Sequence, residues 1–204
     1  MNKNQLKSHN VYVTLGASNH TKEVREKDDY YATDPIAIDV LLNETDIQLN
    51  NNIWECACGE NHLSDKLKEY GYDVFSTDIV ERDEPIDKII DFLSLDDKTC
   101  WDGDIVTNPP YSKAPRFIEK ALNIIPTGNH VVMLLKVLFL EGKARKELFK
   151  KYPPKYVYIF SGRIMCAKNG EFNRMKAGGG SAIAYAWFIW EKGWTGKTII
   201  DWIN

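Results

Sequence analysis

The sequence predicts an α/β fold in which helices pack on both faces of a mostly parallel sheet. Short β-branched or hydrophobic runs alternate with segments of helical periodicity along most of the 204 residues, an order typical of doubly wound sheets. One run, Ile53–Cys56, leads into a turn of small residues, and the next ends at Asp78. Another, Ile105–Thr107, stops at two prolines. Because ligands bind at the carboxyl ends of such strands, both turns are candidate site elements.

At this length we expect one domain over residues 28–204, preceded by a polar arm over residues 1–27 that lacks sustained periodicity. The longest apolar run, residues 131–140, contains Lys136 and is too short to cross a bilayer, and the amino terminus lacks a signal-peptide core. We therefore expect a cytoplasmic protein without a membrane partner. Four cysteines without C-x-x-C spacing predict reduced thiols and no metal site: Cys56, Cys58, Cys100 and Cys166.

Charge is distributed unevenly, although the net charge is only −3. Residues 28–107 contain 21 acidic and 5 basic side chains, whereas residues 136–176 contain 11 basic and 3 acidic ones. A basic surface of this kind attracts a polyanion. A solvated helix face and loop is the alternative, since charge runs are common. We favour a nucleic-acid surface because the basic half follows the double-proline turn.

Residues 30–42, with the sequence Y-Y-A-T-D-P-I-A-I-D-V-L-L, predict the first helix. Thr33 or Asp34 suits its cap and Pro35 its first position. Ile36, Val40 and the following leucines predict its buried stripe. The free N–H groups at such a helix start favour an anion such as a carboxylate. An ordinary capped helix is the alternative interpretation.

Residues 52–67, N-I-W-E-C-A-C-G-E-N-H-L-S-D-K-L, predict a strand, a turn and a helix with leucines on one side. The small residues of the turn leave room for a ligand close to the main chain. Asp78 ends the next strand nineteen residues after Gly59, where a carboxylate can accept hydrogen bonds from ribose hydroxyls. This spacing predicts a nucleoside cofactor without identifying it, because NAD-binding domains share the geometry.

The central segment, residues 104–111, has the sequence D-I-V-T-N-P-P-Y. Pro109 and Pro110 end the strand and hold Asn108 in an extended turn. An aromatic exocyclic amine is weakly nucleophilic because its lone pair is delocalised. If the Asn108 side-chain oxygen and the Pro109 main-chain oxygen both accept its hydrogens, that lone pair is freed. Tyr111 offers a flat face on which a base can stack. The alternative is a strand followed by an ordinary proline-rich turn.

Further elements complete a seven-stranded sheet. Residues 115–125 predict a helix, 130–136 the fifth strand, 139–151 an amphipathic basic helix, 156–160 the sixth strand and 181–190 the seventh. Between the last two strands lies a basic, glycine-closed segment that we interpret as the loop contacting the substrate backbone. Phe172 is either a second stacking surface in it or part of an unremarkable hairpin loop. The candidate substrate contacts are Tyr111, Lys143, Arg163, Lys168, Phe172, Arg174 and Lys176.

The N-P-P-Y motif at residues 108–111 resembles the catalytic motif of S-adenosylmethionine-dependent amino methyltransferases, above all those that methylate adenine N6 in DNA. G-A-S-N-H-T-K at residues 16–22, followed by Y-Y-A-T-D-P, resembles the opening of phage-encoded members. The turn at residues 55–63 resembles their cofactor loop E-P-A-C-G-x-G-x-L, with Cys56 in place of proline and Asn61 in place of the second glycine. Asn tolerates left-handed geometry, so the loop is expected to form.

The resemblance implies a Rossmann-like methyltransferase fold with the last strand antiparallel and S-adenosyl-L-methionine as cofactor. It makes Asn108, Pro109, Pro110 and Tyr111 catalytic. It places the segment before the first helix at the methionine end of the cofactor, Asp91 at its adenine amino group and Phe92 at its ring; a core aromatic is the alternative for Phe92. The implied cofactor residues are Tyr31, Thr33, Asp34, Pro35, Glu55, Ala57, Cys58, Gly59, Leu63, Asp78, Ile79, Asp91, Phe92 and Asn108.

The expected partner is DNA, in the cytoplasm of a host bacterium if the chain is phage-encoded, and the expected assembly is a monomer or weak homodimer. Three alternatives stay open. RNA adenine methyltransferases make similar phosphate contacts. Enzymes that methylate a glutamine amide also carry N-P-P-Y, but a helical domain precedes their sheet, and here a short polar arm does. A decayed nucleic-acid-binding homologue is suggested by Cys56 and Asn61.

Overall fold

The structure is a computed structural model that describes residues 31–164, 166–168 and 183–204. Ten strands occur in these ranges: β1 (Tyr31–Thr33), β2 (Asn52–Glu55), β3 (Asp73–Asp78), β4 (Lys88–Ile89), β5 (Asp104–Thr107), β6 (His130–Lys136), β7 (Tyr156–Phe160), β8 (Cys166–Lys168), β9 (Tyr185–Glu191) and β10 (Ile199–Ile203). The α-helices are α1 (Ile36–Glu44), α2 (His62–Glu69), α3 (Ala114–Ile124) and α4 (Lys143–Lys151). Short 3-10 helices span Phe92–Ser94 and Val137–Leu140.

Eight strands form one sheet in the order β10-β7-β9-β6-β5-β2-β3-β4, and β1 pairs with β8 in a separate two-stranded sheet. Every pairing in the large sheet is parallel except those of β9, which is antiparallel to both β6 and β7. The chain adds β3 and β4 on one side of β2 and then returns to place β5 and β6 on the other. This reversal leaves a crevice at the carboxyl ends of β2 and β5. The predicted fold class is therefore confirmed.

The prediction of seven strands was wrong by one, because β10 pairs in parallel with β7 at the edge of the sheet. Its Ile199, Ile200 and Trp202 side chains are exposed, and Ile203 is buried. This strand forms through its backbone pairing rather than by burying one face. Its sequence therefore lacks the alternation on which the prediction depended.

Two hydrophobic clusters pack on opposite faces of the sheet. Successive strand residues alternate between them, with Ile105 and Met133 in one cluster and Val106 and Val132 in the other. Each of these side chains is fully buried, which contributes roughly 1.5–3 kcal/mol per large aliphatic residue. The indole N–H of Trp187 donates to the main-chain oxygen of Ala37 over 2.9 Å, which holds α1 against the sheet.

Asp104 lies at the amino ends of the central strands, opposite the end that carries the double-proline turn. Its buried carboxylate accepts the backbone N–H groups of Asn50 and His130, each over 2.7 Å. These bonds join the amino ends of β2, β5 and β6. The start of β5 is therefore held in place, and the turn at its other end projects from a fixed strand.

Two predicted helices differ from those observed. Helix α1 begins at Ile36, which is 48% exposed and not part of the buried stripe. Pro35 precedes the helix rather than occupying its first position, and Asp34 Oδ1 accepts the N–H of Ile36 over 3.2 Å. The predicted helix 139–151 is broken at Gly142, whose φ of 119° is incompatible with a continuous helix. In the described ranges, no helix is both long and apolar enough to cross a membrane.

Candidate active site at the carboxyl edge of the sheet

A cavity lies at the carboxyl ends of β2, β3 and β5. Thirteen residues singled out in the sequence line it together: Thr33, Glu55, Ala57, Cys58, Leu63, Asp78, Ile79, Asp91, Phe92, Asn108, Pro109, Pro110 and Tyr111. The small-residue turn and the N-P-P-Y turn, about fifty residues apart in sequence, therefore share one cavity.

Four residues assigned to the cofactor are not in the cavity lining. Tyr31 lies in β1, Asp34 and Pro35 directly precede α1, and Gly59 lies in the turn between β2 and α2. Sequence reasoning missed seven residues of the lining: Ala32, Cys56, His62, Arg82, Leu93, Lys113 and Phe117. Lys113 stands two residues after the N-P-P-Y motif, so proximity to that motif was a signal that could have found it. His62, the first residue of α2, directly follows the small-residue turn.

The small-residue loop is held by hydrogen bonds to the end of β3 and to the segment that follows β3. Gly59 and Asn61 both have positive φ angles, 58° and 62°. The N–H of Gly59 donates to Asp78 Oδ2 over 2.9 Å, and Asn61 Nδ2 donates to the main-chain oxygen of Pro85 over 2.7 Å. Asn61 thus adopts the left-handed conformation that a second glycine would supply.

Asp78 acts at the centre of this arrangement. Besides receiving the Gly59 N–H, its carboxylate lies 3.4 Å from Nη1 of Arg82 and accepts the Val80 N–H over 3.3 Å. The carboxylate fixes the loop against the end of β3 and places Arg82 at the cavity. A ribose contact at Asp78 has to share the oxygens with these partners.

Glu55, the last residue of β2, has a buried carboxyl group with a raised pKa. It is 2% exposed, and burial raises its pKa from 4.5 to about 8. The Ser64 hydroxyl donates to its Oε2, and the Ser76 hydroxyl donates to Ser64 over 2.8 Å. Glu55 is therefore mainly protonated and neutral at pH 7.

Asp91 and Phe92 follow the two-residue strand β4, and Asp91 caps the 3-10 helix that begins at Phe92. Its carboxylate accepts the Ser94 hydroxyl over 2.6 Å and the Leu93 N–H over 3.0 Å. Mainly because of the Ser94 bond, the pKa of Asp91 lies below its ordinary value. Phe92 is 1% exposed and packs edge-to-face on Trp54 at 5.4 Å. It belongs to the core and also lines the cavity.

The N-P-P-Y turn projects from the buried strand β5. Pro109 is buried, and Asn108 and Pro110 are half-buried. Asn108 Nδ2 donates to the Thr33 hydroxyl oxygen over 2.8 Å. Since the amide nitrogen and oxygen point in different directions, this contact turns the side-chain oxygen of Asn108 away from Thr33.

The ring of Tyr111 packs near Tyr185 and Lys136. Burial raises the pKa of its hydroxyl well above the ordinary value, so the hydroxyl stays neutral. The ring lies 6.2 Å from that of Tyr185, and the Lys136 ammonium lies 4.7 Å from the Tyr111 ring centroid. A base that stacks on this face of Tyr111 must displace Lys136.

The remaining substrate candidates lie away from the cavity lining. Lys143 begins α4 and Arg163 follows β7, and both side chains are exposed. Lys168 lies in β8. Phe172, Arg174 and Lys176 lie outside the described residues, as does the predicted polar arm. In the part of the chain that the structure describes, no three His, Cys, Asp or Glu side chains group as metal ligands.

Solved structures share this fold. A putative class I S-adenosylmethionine-dependent methyltransferase from Listeria monocytogenes aligns with a TM-score of 0.57 and 15% identity, covering 93% of this chain and 69% of its own. A putative hemolysin from Lactococcus lactis aligns with a TM-score of 0.58 and 10% identity, covering 81% of this chain and 91% of its own. The type IIG restriction endonuclease BpuSI aligns with a TM-score of 0.51 and 13% identity, covering 82% of this chain and 25% of its own. No protein-family model and no curated protein matches the sequence. The chain therefore has the Rossmann-like fold of class I methyltransferases.

Proposed function

We propose that this chain is an S-adenosylmethionine-dependent methyltransferase that modifies the N6 amino group of adenine in DNA. One observation carries the proposal: the N-P-P-Y turn and the small-residue loop line the same cavity at the reversal point of the sheet. A nucleoside cofactor on the loop and an amine at Asn108 would therefore be neighbours.

The lining of the cavity offers polar contacts for this cofactor. Two carboxylates, Asp78 and Asp91, and two cations, Arg82 and Lys113, line it beside the neutral carboxyl group of Glu55. S-adenosylmethionine supplies a methyl group on positively charged sulfur, an electrophile that an amine can attack directly. Asp78 would hold the ribose, and Asp91 and Phe92 the adenine.

The attack itself needs no catalytic base: the nitrogen–carbon bond forms as the carbon–sulfur bond breaks, and neutral S-adenosylhomocysteine leaves. The methylated nitrogen then releases one proton to water. The Asn108 side-chain oxygen and the Pro109 main-chain oxygen accept the two hydrogens of the target amine, which makes its lone pair available. Pro109 offers an acceptor without a competing N–H. Both prolines restrict the backbone of the turn, so the two acceptors are pre-organised for the amine rather than recruited by it.

DNA is the proposed substrate because basic side chains border the same edge of the sheet. Lys143 and Lys146 lie in the first turn of α4, which follows the carboxyl end of β6. Contacts of this kind bind phosphates without reading bases. Taking adenine out of a duplex costs a few kcal/mol, which these phosphate contacts would help to offset. BpuSI, whose name describes a restriction endonuclease, shares the fold over a quarter of its length.

The deciding experiment is transfer of a tritiated methyl group to duplex DNA, to RNA and to a protein mixture, followed by digestion to nucleosides. We expect label in N6-methyladenine from DNA. Label in RNA adenosine or in glutamine would replace the proposed substrate. No label anywhere, together with no heat on calorimetric titration with S-adenosylmethionine, would support the decayed binding protein.

The Asn108→Ala variant tests the turn itself. We expect it to lose methyl transfer by at least about 100-fold, as when a transition-state hydrogen-bonding group is removed, while cofactor binding measured by calorimetry stays largely intact. The exposed Asn123 of α3 provides the matched control Asn123→Ala, which should transfer methyl at the wild-type rate. Near-normal turnover of Asn108→Ala would exclude the mechanism.

A further inference from the structure

The amide of Asn108 has two ends of opposite hydrogen-bonding character, and the proposed function requires its oxygen to face the substrate. Thr33, which is 3% exposed, contacts the nitrogen end over 2.8 Å. A hydroxyl can donate or accept, so the contact fixes the amide only if the Thr33 hydrogen is directed elsewhere.

The two-stranded sheet of β1 and β8 places a second acceptor near the Thr33 hydroxyl. Thr33 in β1 lies directly opposite Cys166 in the antiparallel register with β8. Directly opposite residues have Cβ atoms about 4.5–5.5 Å apart and share a face, and both side chains are buried. The Cys166 sulfur can therefore accept the Thr33 hydrogen, which leaves the Thr33 oxygen to accept from Asn108.

The surroundings of Cys166 support this direction. Burial, the largest influence, raises the pKa of the thiol to about 11, while contacts with the hydroxyls of Tyr111, Tyr185 and Thr33 lower it. Hydroxyls that favour the thiolate are oriented with hydrogen toward sulfur. Cys166 thus stays a neutral thiol that receives the Thr33 hydroxyl.

We propose that Thr33 is a positioning residue whose hydroxyl oxygen holds the Asn108 amide nitrogen, so that the Asn108 oxygen faces the target amine. The inference rests on the proposed function and assigns Thr33 to the catalytic turn rather than to the methionine end of the cofactor. If the amide turned over, its NH₂ would meet the substrate NH₂, donor against donor, and one of the two acceptors of the amine would be lost.

The test compares Thr33→Val, which keeps the shape and removes the hydroxyl, with Thr33→Ser, which keeps the hydroxyl. We expect Thr33→Val to lower kcat by about 10- to 100-fold, the value of one hydrogen bond to a reacting group. The KM values and the calorimetric dissociation constant for S-adenosylmethionine should change by less than about twofold. Thr33→Ser should recover most of kcat. An unchanged kcat in Thr33→Val would overturn the inference.

A weakened affinity for S-adenosylmethionine with kcat preserved would also overturn it, because Thr33 would then be a cofactor ligand. The side-chain NH₂ signal of Asn108, assigned by its loss in Asn108→Ala, gives a readout independent of activity. Its hydrogen exchange should be slow in the wild type and in Thr33→Ser, and faster in Thr33→Val. If the wild type methylates nothing, the proposed function fails, whereas this signal still decides whether Thr33 holds Asn108.

Discussion

At the scale of single residues, Glu55 and Asn61 show how the loop between β2 and α2 is stabilised. Glu55 packs its carboxyl group under the loop against Ser64, and Asn61 turns the chain into α2 with a φ of 62°. The effect of each residue on the stability of the fold can be measured without knowing the substrate.

Glu55→Gln should remove a pH dependence of stability. The folded chain keeps the Glu55 proton up to a pKa of about 8, whereas the unfolded chain releases it near the ordinary value of 4.5. The contribution of Glu55 to stability is therefore largest below pH 4.5 and falls as the pH rises toward 8, because the unfolded state loses its proton first. At about 1.4 kcal/mol per unit, the loss is on the order of several kcal/mol.

Urea unfolding between pH 5 and pH 9 measures this effect. The free energy of unfolding of the wild type should decline across the window more steeply than that of Glu55→Gln, which should be the more stable protein at pH 9. The exposed Glu81 gives a control, since Glu81→Gln should follow the wild-type curve. Parallel curves for wild type and Glu55→Gln would contradict a raised pKa.

Asn61 is expected to tolerate glycine better than alanine. Alanine would meet the cost of a left-handed backbone, roughly 1–2 kcal/mol, and would also lose the bond to Pro85. Glycine would lose only that bond, worth about 1 kcal/mol. Thermal unfolding should therefore rank wild type, Asn61→Gly and Asn61→Ala in order of decreasing stability. Equal stability of the two variants would show that backbone geometry is not what selects Asn61.

The features predicted from the sequence are those that depend on a residue's own type and its immediate neighbours. The left-handed tolerance of Asn61 and the strand-ending prolines follow from the residue type alone. The partners of Asn108 and Tyr111 did not follow, because Thr33 and Cys166 reach them through the pairing of β1 with β8, which are more than a hundred residues apart in sequence. Asp78 was predicted as a ribose ligand, but its bond to the Gly59 N–H depends on how the loop folds back.

At the scale of elements, the bounds of strands that bury both faces were predicted closely. Elements that form only through contacts with other segments were missed. The prediction of residues 130–136 matches β6, and that of 156–160 matches β7, since both are hydrophobic runs bounded by turn residues. β10 and the 3-10 helix at Phe92–Ser94 were missed. β10 depends on β7 for its backbone pairing, and the 3-10 helix depends on the Asp91 cap.

The first turn of α4 gives the element-scale test of the proposed DNA surface. Neutralising Lys143 and Lys146 together, as Lys143→Gln/Lys146→Gln, should weaken binding to duplexes of any sequence. If both contact phosphates, the slope of log affinity against log salt should become shallower by about 1 to 2, since each contact contributes about 0.9. Fluorescence anisotropy over a salt series measures the slope.

A double variant at exposed lysines outside α4, Lys68→Gln/Lys197→Gln, controls for the change in net charge. It should leave the salt slope unchanged. If both double variants alter the slope equally, the effect is one of overall charge, and α4 is not the phosphate contact.

At the scale of the whole molecule, the order of the strands places the site. Because the chain leaves β2 toward β3 and returns to β5, the loops after β2 and β5 are adjacent, and the cavity forms between them. Residues 32–93 and 108–117 supply the cavity wall, and the basic α4 follows β6. The proposed cofactor and the proposed DNA would thus contact different parts of one sheet.

Ligand-dependent stability tests this arrangement without any methyl acceptor. A ligand at about 100 times its dissociation constant stabilises the folded state by about 2.7 kcal/mol, which for a chain of this size raises Tm by roughly 5–10 °C. S-adenosylmethionine should produce such a shift. NAD, the other nucleoside cofactor that the spacing of Gly59 and Asp78 allows, should not. Ala57→Leu, which adds volume at the cavity wall, should abolish the shift while remaining folded by circular dichroism. A shift with NAD that equals or exceeds the one with S-adenosylmethionine would identify the cavity as a dinucleotide site instead.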